Sequence, residues 1–398
     1  MPKEILVSGG GVISALGAGK EATLTALRER RTGIAPVRYL QTAHTELPVG
    51  EVKMSNAEMM RALHIPEEEV STRTSLMGMM AVREALEHAR IGGKEGLRVA
   101  LISGVTVGGM DKSERYYLDF LENDTKNAYI ATHDCGACTE MIADYFGVFS
   151  AVETISTACS SAANAIMLGA MLLERGLADV AVAGGCECLT KFHLNGFNTL
   201  MILDREPCKP FDAHRAGLNL GEGAAYLVLE REDTLRRRGA EPLCRLSGYA
   251  NTCDAYHQTA SSPNGEGAYL AMAKALEAAQ LTPRDIGYIN AHGTGTVNND
   301  LSEGVAIQRV FGESAPPVSS TKSFTGHTTS AAGGVEALIA VLALQHGFIP
   351  VNLNFALPMP ELALTPATDE QPTAPLRHVL SNSFGFGGND TSLIFSRV

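Results

Sequence analysis

The feature that most constrains the fold of this chain is an alternation of short β-rich runs with helical patterns. Each β-rich run ends in small residues, mainly glycine and serine. The runs are ILVSGGG from Ile5, VALISGVTVGG from Val99, VAVAGG from Val180, IGYINAHGTGT from Ile286, VSSTKSFTGH from Val318 and HVLSNSFGFGG from His378. Strands that alternate with helices predict an α/β architecture with largely buried central strands. The glycine-rich strand ends are where such folds bind ligands.

Two similar halves are predicted within the 398 residues. Segments such as TSLMGMMAVREALEHAR and GEGAYLAMAKALEAAQ carry apolar residues at helical spacing. The order strand, glycine-rich turn, helix recurs before and after about Arg245. We expect halves at residues 1–245 and 246–398 in one compact unit, because no Pro/Ser linker or low-complexity segment separates them. The proline-rich segment 352–378 is predicted to be a surface loop.

Composition excludes several classes of function. A formal charge of −12 and a pI near 5.4 argue against general affinity for nucleic acid or for an anionic membrane. No run of about 20 apolar residues would span a bilayer. The first residues lead directly into a β-rich run, without a basic leader, so a cytoplasmic location is expected. These properties favour a soluble globular protein.

The eight cysteines are too sparse for a disulfide scaffold. Cys135 and Cys138 form one CxxC pair, but no second pair completes a zinc site, so no metal is expected. Five other cysteines are predicted to be packing residues: Cys186, Cys188, Cys208, Cys244 and Cys253.

Cys159 occupies a distinctive position in TISTACSSAA. VETIS is typical of the end of a strand, and the residues after Cys159 carry a helical pattern. At the start of a helix, unpaired N–H groups and the helix dipole favour a thiolate over a thiol. The position therefore suits a nucleophile, although it also suits a small buried residue.

Two histidines lie beside glycines at strand exits, where a backbone can approach a ligand. His292 is in NAHGTGT and His327 is in STKSFTGH. Together with Cys159 they form a Cys/His/His set. A thiolate accepts an acyl group from a thioester to give an acyl-enzyme. Two neutral imidazoles stabilise negative charge on a second thioester carbonyl, the charge pattern of an enolate. The set therefore predicts thioester condensation.

Four motifs in order, TACSSA, NAHGTGT, SSTKSFTGH and NSFGFGGND, resemble the β-ketoacyl-acyl-carrier-protein synthases of the thiolase superfamily, in style the elongating KAS II-like branch. CKPFDAHRAGLNLGEGAAYLVLE resembles a further block, and the likeness covers nearly the whole chain. The resemblance implies a thiolase-like five-layered αβαβα fold made of two similar halves. It implies an acyltransferase that condenses an acyl-enzyme with malonyl-acyl-carrier protein to give 3-oxoacyl-acyl-carrier protein, in fatty-acid or polyketide biosynthesis.

The same resemblance implies roles for individual residues. Cys159 would be the acylated nucleophile, with His292 and His327 polarising the malonyl thioester. Lys322 matches a lysine that orders the site electrostatically, and Glu303 matches its acidic companion. The remaining expectations are pantetheine binding by Thr294 and Thr296, an oxyanion-hole N–H and a gate at Phe386, and an acyl pocket at Thr106, Val107 and Phe197.

Alternative interpretations of these residues stay open. Lys322 and Glu303 also suit an ordinary ion pair. Thr294 and Thr296 also suit helix capping, and Phe197 suits a core position equally well. Phe384 is predicted to pack and not to act as a gate.

The expected partners are an acyl carrier protein and a second subunit, either a copy of this chain or a related chain-length-factor-like protein. No cofactor is implied beyond the phosphopantetheine of the carrier. Glu67 to Glu69 would repel an acidic carrier, so docking would rely on Arg73 and other basic residues, or on an unusual carrier. The sequence departs from the common GFGGTN at Asn389 and Asp390. A degradative thiolase is disfavoured because the last cysteine, Cys253, precedes NSFGFGGND.

Overall fold

A continuous β-sheet path organises the computed structural model, which describes residues 4–93, 96–312, 315–369 and 375–398. The strands of these residues are β1 (Ile5–Ser14), β2 (Gly17–Ala18), β3 (Val99–Gly104), β4 (Ala151–Ile155), β5 (Val180–Glu187), β6 (Gly223–Arg231), β7 (Cys244–Cys253), β8 (Tyr288–Asn290), β9 (Val318–Ser319), β10 (His378–Gly385) and β11 (Asn389–Ser396). The six predicted runs form β1, β3, β5, β8, β9 and β10, and VETIS forms the end of β4. The analysis of β-rich runs did not identify the antiparallel strands β6, β7 and β11.

The order of the strands repeats between the two halves. The path is β4-β3-β5-β6-β1 followed by β7-β11-β10-β8-β9, with β2 paired to β1. In the first half β3 lies parallel to β4 and β5, and β6 lies antiparallel to β5 and β1. In the second half β8 lies parallel to β9 and β10, and β11 lies antiparallel to β10 and β7. The halves meet where β1 pairs with β7; the boundary after residue 245 stays a prediction.

Helices form layers on both faces of the sheet and between its halves. They are α1 (Lys20–Arg28), α2 (Asn56–Leu63), α3 (Arg73–Ala89), α4 (Met110–Glu122), α5 (Asn127–Ile130), α6 (Cys135–Phe146), α7 (Ser161–Glu174), α8 (Lys191–Thr199), α9 (Glu232–Arg238), α10 (Glu266–Ala279), α11 (Val297–Phe311), α12 (Lys322–Thr325) and α13 (Ala332–His346). Helix α3 packs on β1, and α10 packs on β7 and β11. Helices α7 and α13 contact each other and strands of both halves. This is the predicted αβαβα layering.

Helix α13 is buried along most of its length, and its small residues explain its position. A methyl group at Gly333 would lie 2.8 Å from Ala163 of α7, and one at Gly334 would lie 2.7 Å from the Ala225 carbonyl. Glycine at both positions therefore lets α13 approach α7 and β6 closely. Every residue from Ala332 to Leu344 is buried. Among them Glu336 is the single charged residue, which marks a polar requirement inside the central layer.

Two expectations about packing need correction. Within segment 352–378, the apolar side chains of Met359, Leu362 and Leu364 are buried in the core of the second half; residues 370–374 lie outside the described part. Cys253 is exposed and is not a packing residue, because its side chain lies on the outer side of the last position of β7. The other four cysteines predicted to pack are buried. No helix in the described ranges is long and apolar enough to cross a membrane.

Candidate active site

Cys159 lies in a sharp turn between β4 and α7, as predicted. Ala158 adopts a positive φ of 53°, which turns the chain out of the strand. The Ser161 hydroxyl tightens this turn by donating to the Ala158 carbonyl at 2.6 Å and accepting the Thr157 N–H at 2.9 Å. Cys159 is 5% exposed. Its sulfur accepts a hydrogen bond from the Phe386 N–H.

The thiol of Cys159 does not have the lowered pKa that its helix position predicts. Burial raises its pKa to about 11, although the positive charge of Lys322 and the Phe386 N–H act in the opposite direction. Desolvation of the thiolate outweighs the helix dipole in this site. Cys159 therefore carries its proton at neutral pH.

A cavity of about 310 Å³ opens above Cys159. One wall is mainly apolar and contains Phe197, Leu200, Met201, Ile202, Leu218 and Phe384. The polar residues that line the cavity, here called its polar wall, are Thr259, Ser261, Thr294, Thr296, Asn298 and Asn299. His292 and His327 line the same cavity as Cys159. The structure thus brings the predicted Cys/His/His set together at one site.

The ring of His292 is held by Lys322. The Lys322 ammonium lies 3.1 Å from His292 Nδ1 and donates to the His292 carbonyl at 2.6 Å. An ammonium group has only protons to donate, so Nδ1 must accept, and the proton of the neutral ring is on Nε2. Burial and the charge of Lys322 place the pKa of His292 well below its usual value. His292 is therefore a neutral Nε2–H donor.

His327 reaches the same state through backbone contacts. Its Nδ1 accepts the Thr329 N–H at 3.2 Å, which again leaves the proton on Nε2. Its own N–H donates to the Asn219 carbonyl at 2.7 Å. Burial, then Lys322, lowers the pKa of His327 well below the ordinary range. The rings of His292 and His327 stand edge to face with centroids 5.2 Å apart.

Glu336 is a site residue that the sequence analysis missed. It pairs with Lys322 through a short hydrogen bond, and both side chains are buried. The expected pairing of Lys322 with Glu303 is wrong, because α13 presents Glu336 directly to the ammonium. The missed signal is a single carboxylate in the otherwise apolar run AAGGVEALIAVLALQ.

Glu303 contacts the backbone of the histidine loop instead. Its carboxylate accepts the N–H groups of His292 at 2.8 Å and Gly293 at 2.7 Å, and the Asn382 amide at 3.1 Å. Burial raises its pKa to about 7, and these three donors oppose the rise. Glu303 fixes the backbone that carries His292 and does not bind Lys322.

The two predicted aromatic positions are in contact at the edge of the cavity. The rings of Phe197 and Phe386 are stacked with centroids 5.6 Å apart and planes 19° apart. Phe197 is half-buried and lines the cavity, so a pure core role does not describe it. Phe384 is buried, with its ring centroid 5.9 Å from that of His292. It packs against His292, as the packing interpretation predicts.

Thr294 and Thr296 lie on the polar wall, and Thr296 also caps a helix. The Thr296 hydroxyl accepts the Asn299 N–H at the start of α11, as in an N-cap. The two threonine hydroxyls are 2.8 Å apart, and both residues line the cavity. Capping and a ligand contact are therefore compatible for Thr296.

Thr106 and Val107 do not line the cavity that contains Cys159. Glu187, at the end of β5, accepts the Thr106 N–H at 2.8 Å and the Val107 N–H at 3.3 Å, and it binds the Thr106 hydroxyl as well. The Ser330 hydroxyl also donates a hydrogen bond to the Glu187 carboxylate at 2.7 Å. These bonds turn the segment toward Glu187, a contact that the sequence analysis does not predict.

Arg73 is unavailable for carrier docking. Its guanidinium is buried and pairs with Glu222 at 2.6 Å, and it also donates to the carbonyls of Val52 and Met54. Burial opposes its charge, but Glu222 raises the pKa of Arg73 above its usual value. The residues Glu67 to Glu69 are exposed.

Comparisons with known proteins place this chain in one family. The model "Beta-ketoacyl synthase, N-terminal domain" matches residues 2–234, and "Beta-ketoacyl synthase, C-terminal domain" matches residues 243–356. The 3-oxoacyl-[acyl-carrier-protein] synthase 2 of Staphylococcus aureus (strain COL) is 31% identical over 411 residues, covering 99% of this chain and 98% of that protein. Nodulation protein E of Rhizobium meliloti (strain 1021) is 32% identical, with full coverage of both chains.

Solved structures agree with these matches. The ishigamide ketosynthase/chain length factor structure matches with a TM-score of 0.92 at 29% identity, covering 100% of both chains. The ketosynthase ApeO, in complex with its chain length factor ApeC from Xenorhabdus doucetiae, matches with a TM-score of 0.84 at 31% identity, covering 100% of this chain and 98% of that one. The predicted thiolase-like fold and the predicted condensation of acyl thioesters are confirmed. The chain belongs to the β-ketoacyl synthase family of acyltransferases.

Proposed function

We propose that Cys159 is the acylated nucleophile of this enzyme and that His292 and His327 stabilise the enolate of a malonyl thioester. One observation carries the proposal: two neutral histidines, each with its proton on Nε2, line the same cavity as Cys159. Neutral N–H donors in a buried site stabilise a developing oxyanion without a prior proton transfer.

In the first step the sulfur of Cys159 bonds to the carbonyl carbon of an acyl group on the carrier. The N–H groups of Cys159 and Phe386 form the oxyanion hole for the tetrahedral intermediate. The bond between the carbonyl carbon and the carrier sulfur then breaks. The proton of the Cys159 thiol ends on the departing carrier thiol, so one thioester replaces another at little cost.

In the second step a malonyl thioester occupies the cavity with its carbonyl oxygen at the two Nε2–H groups. The bond to the carboxylate breaks, carbon dioxide leaves, and the electron pair becomes the enolate. The enolate carbon attacks the acyl group on Cys159 and expels the thiolate, giving a 3-oxoacyl thioester two carbons longer. Lys322 keeps His292 in its donor tautomer, while Glu336 compensates the buried ammonium and Glu303 fixes the loop of His292.

The proposed donor of both substrates is an acyl carrier protein, whose phosphopantetheine arm would lie along the polar wall. Thr294 and Thr296 present hydroxyls there for the amides of the arm, and the stacked rings of Phe386 and Phe197 would lie between the arm and the acyl chain. No cofactor beyond the carrier's phosphopantetheine enters these steps. A cytoplasmic location fits substrates of this kind.

Intact-protein mass spectrometry tests this proposal. The purified protein is incubated with acyl-carrier proteins of varied chain length and unsaturation, then with malonyl-carrier protein. We expect an acyl adduct on Cys159 that disappears on malonyl addition, with release of the two-carbon-longer 3-oxo product. An adduct at another residue, or unchanged condensation by Cys159→Ala, contradicts the assignment.

A second candidate is a synthase subunit that is active only with a chain-length-factor-like partner. Two similar structures contain a ketosynthase with a chain length factor. Helix α4 also exposes four large apolar side chains, Tyr117, Leu118, Phe120 and Leu121, a surface suited to a partner subunit. Light scattering of the purified chain distinguishes the candidates: an active homodimer supports the first, and an inactive chain that gains activity with a related subunit supports the second.

A further inference from the structure

Asp390 and Asp254 meet behind the loop that carries Phe386. Asp390, near the start of β11, is 4% exposed. A methyl group at Gly267 of α10 would lie 2.1 Å from the Asp390 carboxylate and 2.8 Å from the Asp254 Cβ. Glycine at this position makes room for two acidic side chains at one point of the helix surface.

Among the residues that the structure describes, no positively charged group acts on the Asp390 carboxyl. In the described part of the chain, no group donates a hydrogen bond to its carboxyl. The charged groups that act on it are Asp254, at the end of β7, and Glu303 of α11. Helix α10 adds Glu266 in its first turn, which is paired with Arg309 at 2.9 Å. A buried carboxylate among like charges is costly, so the carboxyl retains a proton.

Asp254 joins two loops that border the cavity. Its carboxylate accepts the N–H groups of Tyr256 at 3.1 Å and Ser262 at 3.0 Å, which orders residues 254–262. Its own N–H donates to the Gly388 carbonyl at 3.1 Å. The Gly387 N–H donates to the Gln258 carbonyl at 2.8 Å. Residues 386–388 therefore depend on this contact for their position.

We propose that Asp390 and Asp254 are positioning residues, and that the proton of a neutral Asp390 keeps residues 386–388 in the position where the Phe386 N–H faces Cys159. The proposal rests on the function proposed above for that N–H. An asparagine at the position of Asp390 would stay neutral at every pH. While Asp390 keeps its proton, Asp254 stays in place and holds both loops.

The sign of the pH effect follows from burial. Burial, with smaller contributions from Asp254 and Glu303, raises the pKa of Asp390 to about 8. Below that value Asp390 is neutral and does not repel Asp254. Above it the proton passes to solvent, two adjacent carboxylates repel each other, and the loops of residues 254–262 and 386–388 separate. Acylation of Cys159 should therefore decline as the pH rises through 8.

The test compares the unmodified enzyme with Asp390→Asn and Asp254→Asn between pH 6.5 and 9.5. The rate of Cys159 acylation by an acyl-carrier protein is measured by mass spectrometry and is divided, at each pH, by the rate of Asp390→Asn. In this ratio the pH dependence that comes from ionisation of the Cys159 thiol cancels. We expect it to fall roughly 30-fold between pH 7 and 9.5, which is the loss expected 1.5 pH units above a pKa of 8. Asp254→Asn should remove most of the decline, because it removes the repulsion.

Asp144→Asn, on the exposed side of α6, is the matched control and should retain the decline. A constant ratio for the unmodified enzyme overturns the proposal. Hydrogen exchange in residues 386–388, corrected for its intrinsic pH dependence, gives a readout that needs no turnover. It should rise above pH 8 in the unmodified enzyme and not in Asp390→Asn. Equal exchange in both overturns the proposal, whereas absence of acylation at every pH with the expected exchange overturns only the proposed function.

Discussion

Lys322 donates to both the carbonyl of His292 at 2.6 Å and, at 3.1 Å, the Nδ1 atom of its ring. These two contacts fix the backbone and the tautomer of the same histidine. The third N–H of the ammonium is taken by Glu336, so all three donors of Lys322 are used. The electrostatics of the site therefore depend on one lysine that touches no cavity surface.

Replacement of Lys322 by methionine should reduce malonyl decarboxylation about 10²- to 10³-fold, because His292 loses the contact that holds its Nε2–H toward the substrate. Acyl transfer to Cys159 should fall less. The amount of carbon dioxide released measures decarboxylation, and the mass of the intact protein measures acylation. Glu336→Gln, which retains the lysine and an acceptor oxygen, is the matched control and should lose much less. Equal losses in both steps would assign Lys322 a general structural role.

His327→Ala and Cys159→Ala should separate the two half-reactions. His327→Ala removes one of two Nε2–H donors, so decarboxylation should fall about 10²- to 10³-fold while the acyl adduct on Cys159 still forms. Cys159→Ala should form no adduct, and its decarboxylation should persist because both histidines remain. Normal decarboxylation by His327→Ala and by His292→Ala would place the enolate elsewhere.

The sequence identified the residues with local signatures more successfully than the long-range contacts. The turn at Cys159 follows from a strand run, a serine pair and a helical pattern that are contiguous in the chain. His292 and His327 follow from their glycine neighbours at strand exits. The small residues of α13 explain its close packing in the folded protein, but they do not by themselves predict where the helix lies. The internal repeat was visible as a recurring pattern, and the repeated strand order explains it.

The features that the sequence did not predict are side-chain contacts between elements that are distant in the chain. Glu303 and Glu336 are both acidic residues on helices near the histidine loops, and only packing decides that Glu336 faces Lys322. Arg73 is the first residue of α3, in a segment that suggests an exposed docking site. It is buried instead, paired with Glu222, which is 149 residues away in the chain. The pKa of Cys159 depends on desolvation, which local sequence does not encode.

Replacement of Phe197 by alanine should broaden the range of acyl chains accepted. The ring of Phe197 stacks on Phe386 and narrows the cavity beside Cys159, so its removal opens space for a longer or branched chain. We expect kcat/KM for a substrate two carbons longer than the preferred one to rise about tenfold relative to the preferred substrate. Competition between two acyl-carrier proteins measures this ratio directly.

Thr106→Val is the matched control for that experiment. It retains the volume of the side chain and removes the hydrogen bond to Glu187, away from the cavity. We expect a loss of about 1 kcal/mol in the free energy of unfolding and unchanged chain selectivity. If Thr106→Val changes chain selectivity as much as Phe197→Ala does, Thr106 contacts the acyl chain after all.

Exposed charge near the mouth should control association with an acidic carrier. Arg205 is exposed three residues after Ile202, which lines the cavity, whereas Arg73 is buried. Arg205→Glu should raise the KM for the carrier several-fold at low salt, because steering by surface charge is screened as salt rises. Glu68→Lys, within the exposed acidic residues, should lower the same KM if that surface faces the carrier. The kcat for a short acyl thioester without the carrier should stay constant in both variants, and salt-independent effects would contradict electrostatic docking.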